Sequence, residues 1–205
     1  MTVLLFGFEP YLEYKENPSQ IIVKSLDGRE IAGNRIKGIT LPVEYARLEA
    51  LLVTSLDREK PSLAIGLGLA PGRNMITPEK IAVNYKYAVE PDNTGRVIQG
   101  EKIDYSQPDG LFAMLPVEAL VEELNRRGIP ASLSLSAGAF LCNNAMFLIV
   151  REARRSGFEG GFIHIPYHAE YVSRLKKDLP SLPLETIQKG IETSIEFLVN
   201  RPVPK

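Results

Sequence analysis

The 205-residue sequence is 44% hydrophobic and 24% charged, and its 24 Lys and Arg nearly balance 25 Asp and Glu. That composition excludes a disordered or fibrous chain, and a net charge of −1 with no long basic run excludes the electrostatic footprint of a nucleic-acid binder. At this length folding hides roughly 70% of the unfolded chain's surface, so one domain over residues 1–205 can hold a core without a disulfide or metal.

Cys142 is the single cysteine, and His164 and His168 are the two histidines. An internal disulfide is impossible, and a Cys/His zinc site would have to borrow carboxylates. Neither metal nor cofactor is expected, and a reducing compartment, the cytoplasm, fits a lone thiol. The run Met1-Thr2-Val3-Leu4-Leu5-Phe6-Gly7 lacks a basic flank and ends short of a signal h-region. No stretch approaches the roughly 18 apolar residues of a membrane span, so no membrane partner is expected.

In chain order, Val3 to Phe6 reads as a strand, and Ser19 to Ser25 as a short helix after Asn17-Pro18, with Ser19 as its cap. Arg35 to Leu41 reads as a strand stopped by Pro42, and Glu44 to Glu59 as an amphipathic helix. Leu63 to Leu67 reads as a buried strand and Ile81 to Val89 as an alternating one, and residues 90–108 as a long loop. Val117 to Arg127 forms a helix ended by Gly128, followed by a strand from Ala131 to Ser136. Ser136-Ala137-Gly138 leads into a helix from Phe140 to Ser156 that Gly157 ends. Gly161 to Ile165 is a last strand, cut by Pro166, and Leu184 to Leu198 a closing helix. This alternation predicts a single-domain α/β fold, a three-layer α/β/α sandwich around a twisted mixed sheet.

Cys142 falls in the first turn of its helix, where unpaired N–H groups favour a thiolate. Such a sulfur would be alkylated well below pH 8.5, the ordinary thiol pKa being about that value. A lone cysteine can equally be a small buried hydrophobe. The strand, small-residue turn and helix around it favour chemistry, because that junction exposes a side chain at the carboxyl edge of a sheet. A nucleophilic thiol needs a base, and the two imidazoles are the candidates. His164, in Phe162-Ile163-His164-Ile165-Pro166, could instead be a core residue. His164 and His168 have the i, i+4 spacing of a helical metal pair, but Pro166 between them breaks such a helix. Glu79 could orient an imidazole or be a surface carboxylate. Gly66-Leu67-Gly68-Leu69-Ala70-Pro71-Gly72 approximates a phosphate loop but has Pro71 where a glycine is required, so a turn presenting Arg73 is the better account.

Eight motifs, in order along residues 7–166, carry a more specific signal. They are Gly7-Phe8-Glu9-Pro10-Tyr11, Asn17-Pro18-Ser19, Leu41-Pro42-Val43, Gly68-Leu69-Ala70-Pro71-Gly72-Arg73, Glu79-Lys80-Ile81-Ala82-Val83-Asn84, Pro91-Asp92-Asn93, Ser136-Ala137-Gly138-Ala139-Phe140-Leu141-Cys142-Asn143 and Phe162-Ile163-His164-Ile165-Pro166. This series resembles that of the pyrrolidone-carboxylate peptidases, the type I pyroglutamyl peptidases. The resemblance implies an α/β/α cysteine peptidase that releases N-terminal pyroglutamate from peptides through a thioester. It implies Cys142 as nucleophile, His164 as base and Glu79 as orienting acid, with the Cys142 N–H and Arg73 stabilising the oxyanion. Phe8, Tyr11, Phe140 and Leu141 would line the ring pocket, with Asn17 at its rim. Pyroglutamylated peptides are the expected partners, and a homotetramer is expected by analogy, with the loop or the closing helix as interface. The chain departs from the family at Leu12-Glu13, where a Gly-Gly pair is usual, and at Val89-Glu90, where Arg-Ile is common. The rival readings are a related α/β hydrolase or nucleoside-processing enzyme, and a non-enzymatic binding module.

Overall fold

The structure is a computed structural model that describes residues 1–12 and 14–201; Glu13, of the Leu12-Glu13 pair, lies outside them. The first half contains β1 (Thr2–Phe8), α1 (Pro18–Leu26), β2 (Glu30–Ile31), β3 (Asn34–Leu41), α2 (Tyr45–Glu59), β4 (Leu63–Leu69), β5 (Thr77–Pro78), β6 (Ile81–Val83), β7 (Lys86–Tyr87) and β8 (Gln99–Glu101). The second contains β9 (Gly110–Phe112), α3 (Val117–Arg126), α4 (Leu141–Ser156), β10 (Glu159–Ile165), β11 (Tyr167–His168), α5 (Ala169–Leu175), β12 (Ser181–Leu182) and α6 (Leu184–Asn200).

Among the described residues the main sheet has six strands in the order β2-β3-β1-β4-β10-β5. The inner four are parallel, and the short β2 and β5 run antiparallel at the two edges. The sheet is therefore mixed, as expected. Its strands are apolar on both faces because helices cover both. Period-2 alternation sends Leu4, Phe6, Phe8, Ala64 and Phe162 into one core with Leu48 and Leu52 of α2 and Ala145 and Ile149 of α4. It sends Val3, Leu5, Ile65, Leu67 and Ile163 into a second core with Ile22 of α1, Leu120 of α3 and Ile191 of α6. Three layers result. No helix of the described residues is long and apolar enough to cross a membrane.

Several local expectations change. The helix α1 is capped by Asn17, whose side chain accepts from the Ser19 N–H; Ser19 Oγ instead receives the Phe8 N–H at 3.0 Å. The expected strand from Ile81 to Val89 breaks into β6 and β7 at Asn84. There the buried amide donates to the carbonyls of Asp104, Gln107 and Pro108 and accepts from the N–H groups of Ile103 and Asp104. Residues 131–136 form no strand and pair only as the isolated bridges Ile76 to Ala131 and Glu79 to Ser134. Their alternation misleads because Leu133 and Leu135 are exposed rather than packed. The helix α5 gives little periodic signal, being seven residues with only Tyr171 and Val172 buried.

Candidate active site

Three glycines and an asparagine place the sulfur. Gly138 turns the chain into α4 with φ +77°, a conformation that a side chain disfavours. The helix starts at Leu141, so Cys142 is its second residue, and its N–H belongs to the first turn that has no intrahelical acceptor. Fully buried Asn143 clamps this turn to β6: its Oδ1 accepts from Val83 N–H at 2.9 Å and its Nδ2 donates to Val83 O at 2.8 Å. Below, Gly66 and Gly68 on β4 leave room for the Phe162 ring, and a Cβ on Gly68 would stand 2.8 Å from Cys142 Sγ. The glycines that approximated a phosphate loop thus serve a close approach of helix and sheet.

Gly68 is the register partner of His164 on β10. Since Phe162 packs with α4 and side chains alternate along a strand, His164 faces the same side as Phe162. Sulfur and imidazole are brought to one face at the carboxyl end of the parallel strands, where open α/β sheets bind ligands.

Glu79 follows β5, the antiparallel edge strand beside β10, and its N–H donates to Phe162 O at 2.9 Å. Its side chain is fully buried, and Oε1 lies 2.7 Å from His164 Nδ1 and 2.8 Å from Arg73 Nη1. Burial alone would raise this carboxyl, but the hydrogen bonds from His164, Ser134 and Arg73 and the His164 charge bring it below the ordinary value. An ionised Glu79 accepts the Nδ1–H, which fixes the tautomer with Nε2 unprotonated. Burial lowers His164 below the usual imidazole range against the opposing pull of Glu79, with the Arg73 charge adding to the lowering.

Burial, then the negative charge of Glu79, pushes the Cys142 thiol up to about 12, and Arg73 opposes only in part. This overturns the expectation of a sulfur held as thiolate by the helix terminus. Dehydration and a buried carboxylate outweigh the dipole, so thiol and imidazole rest in their neutral forms.

Arg73 also takes a different place from the one expected. Its guanidinium donates to Thr77 Oγ1, Glu79 and Ser136 O at 3.2 Å, so it is committed to the acid and to the turn before α4. It does not line the cavity next to Cys142.

That cavity, about 350 Å³, does bring together Phe8, Tyr11, Asn17, Phe140, Leu141 and Cys142. The rings of Tyr11 and Phe140 meet at 5.4 Å, and Tyr11 Oη donates to Pro91 O at 2.6 Å, tying the wall to the long loop. Asn17 is buried, and its Nδ2 donates to Glu9 O at 3.2 Å. Val43, Leu69 and Pro71 complete an apolar lining; each sits in a quoted motif, but nothing in the sequence alone turns it toward a ligand. Leu12 lines the mouth with φ +54°, a left-handed conformation that explains why glycine suits this position. Val89 and Glu90 are exposed and outside the lining. Among the described residues no group of three or more His, Cys, Asp or Glu could hold a metal ion.

Comparison with known proteins gives the family. The family model described as pyroglutamyl peptidase matches residues 1–201. The pyrrolidone-carboxylate peptidase of Saccharolobus islandicus (strain L.S.2.15 / Lassen #1) is 57% identical over 199 residues, covering 97% of this chain and 95% of that protein. That of Pyrococcus furiosus is 39% identical over 208 residues, covering 97% and 100%. An X-ray structure of pyrrolidone carboxyl peptidase from Pyrococcus furiosus superposes with a TM-score of 0.94 at 38% identity, covering 97% of this chain and 98% of that one. The chain belongs to the pyroglutamyl peptidase family.

Proposed function

We propose that Cys142, His164 and Glu79 carry out the pyroglutamyl-peptidase I reaction of this chain, within one peptidase domain over residues 1–205. Family membership decides the reaction class, the hydrolysis of an N-terminal pyroglutamyl residue from peptides, against the hydrolase, nucleoside and binding-module readings. The residue roles rest on one observation, the buried Glu79–His164 hydrogen bond of 2.7 Å on the sheet face that also meets the sulfur.

In the proposed sequence His164 Nε2 takes the Cys142 proton as sulfur attacks the pyroglutamyl carbonyl carbon. The C–N bond breaks, the leaving amine receives that proton, and a thioester remains. Water, deprotonated by the same imidazole, hydrolyses the thioester and returns the thiol. Glu79 stays ionised throughout and stabilises the transient imidazolium. The first-turn N–H of Cys142 supports the oxyanion; the role of Arg73 moves to holding Glu79. The apolar cavity suits an uncharged five-membered lactam, with Phe8, Tyr11, Phe140 and Leu141 against the ring faces and Asn17 near its polar edge.

Turnover of a fluorogenic pyroglutamyl amide tests the roles: Cys142→Ala loses activity while retaining its fold, and wild-type activity in that variant would refute them. A cytoplasmic setting and a homotetramer belong to the same proposal. The lone thiol supports a reducing compartment. The exposed Val83, Tyr85, Tyr87 and Phe112 on and beside β6, β7 and β9 support an assembly surface, which light scattering tests. No nucleic-acid or membrane partner is part of this reading.

A further inference from the structure

Two carboxylates stand near the sulfur, and each is capped in the same way. Glu79 meets His164 and Arg73. Glu16, which lines the cavity with Cys142, meets His168 Nε2 at 3.2 Å and Arg174 Nη2 at 2.5 Å, both at its Oε2. Among the described residues Glu16 is the one charged side chain in a lining otherwise built of apolar, tyrosyl, amide and thiol groups.

The cap is built into the fold. His168 is buried and stacks on the Tyr171 ring at 5.6 Å, and the Arg174 guanidinium lies over the same ring, 5.7 Å from its centroid. Tyr171 Oη in turn accepts the Lys15 N–H at 3.2 Å, and the Tyr14 ring meets Tyr167 at 5.7 Å. Three consecutive rim residues are thereby joined to the segment from Tyr167 to Arg174.

An uncapped carboxylate at the mouth of such a cavity would draw in cations, above all the free N-terminal ammonium of ordinary peptides. A prolyl terminus has the same ring size as pyroglutamate but lacks the ring carbonyl, so its nitrogen is a basic amine that carries that charge. We propose that the Glu16–His168–Arg174 cluster is a specificity device: it neutralises the charged part of the wall, so the site accepts a neutral lactam and rejects a cationic pyrrolidine. The proposal rests on the reading of this cavity as the substrate pocket.

The test uses two ring-matched competitors of pyroglutamyl-amide turnover, uncharged pyroglutamamide and prolinamide, which is cationic at neutral pH. The wild type favours pyroglutamamide. Arg174→Ala removes a half-exposed side chain, so the fold is retained, as thermal unfolding checks, and the inhibition ratio between the two shifts about fivefold toward prolinamide. Glu16→Gln combined with Arg174→Ala restores the wild-type ratio within about twofold, a rescue that general loosening of the rim would not give. An unchanged ratio in Arg174→Ala, or no restoration in the double variant, overturns the specificity device while leaving the pocket in place. Failure of pyroglutamamide to compete in the wild type overturns the pocket reading and the device together.

Discussion

A Cβ on Gly68 would stand 2.8 Å from Cys142 Sγ and 2.9 Å from the Phe162 ring, so the absence of one methyl group on β4 is what admits the sulfur to the sheet face that carries His164. Gly68→Ala must therefore push the thiol, the ring or both. The expected outcome is a loss of stability of about 1–3 kcal/mol, the usual penalty of overpacking, and a fall in kcat of at least about tenfold from misplacing the nucleophile. Thermal unfolding and steady-state turnover measure the two effects. Full activity in this variant would show that the sulfur does not depend on this contact.

The ionisation states predict an unusual alkylation profile. With the thiol pushed up to about 12, the thiolate fraction at pH 7 is on the order of 10⁻⁵. Iodoacetamide should react slowly near neutrality and about tenfold faster for each pH unit up to the alkaline range. A plateau reached below pH 8 would mean that a preformed thiolate exists after all.

Acid should weaken the protein through the site itself. Glu79 is ionised below its ordinary range, so the stability it contributes is present above about pH 4.5 and is lost as pH falls through its lowered folded value. His164 is also lowered, so the unfolded chain binds its proton first and stability declines as pH falls below about 6.5. Glu79→Gln should flatten the lower part of this decline, as followed by denaturant midpoints across pH. An unchanged profile would remove Glu79 from the acid response.

Glu79→Gln also tests orientation. A glutamine carbonyl can still accept from Nδ1–H, but its amide group can donate instead and favour the wrong tautomer, and no charge remains to stabilise imidazolium. A fall in kcat of about 10²–10⁴ is expected with KM little changed, by analogy with other acid–imidazole pairs. Arg73→Lys should give a smaller loss, since an ammonium cannot reproduce a fork that holds Glu79, Thr77 and Ser136 O together. Equal kcat values for Glu79→Gln and the wild type would contradict the orienting role.

Much of this was legible in residue patterns. The short apolar runs in β1, β4 and β10 identified buried strands, and the turn before Cys142 marked a helix start. The motif series pointed to Phe8, Tyr11, Phe140 and Leu141, which do meet around one cavity. The failures share a physical origin in tertiary burial. Helix-terminus reasoning saw the dipole acting on Cys142 but not its dehydration or the buried Glu79. Leu133 and Leu135 alternate like a strand yet face outward. Arg73 was legible as a site residue, but its commitment to Glu79 depends on a fold that brings residues 73, 79 and 136 together. The pairing of Glu16 with His168, 152 positions apart, has no local signal at all.

Trapping the acyl intermediate addresses the central claim most directly. Wild-type enzyme mixed with a pyroglutamyl amide, quenched in acid within the first turnovers and digested for mass spectrometry should carry one pyroglutamyl group on the peptide containing Cys142, and Cys142→Ala should carry none. Rapid amide release with no adduct on Cys142 under conditions where the thioester survives, or sustained turnover by Cys142→Ala, would contradict it.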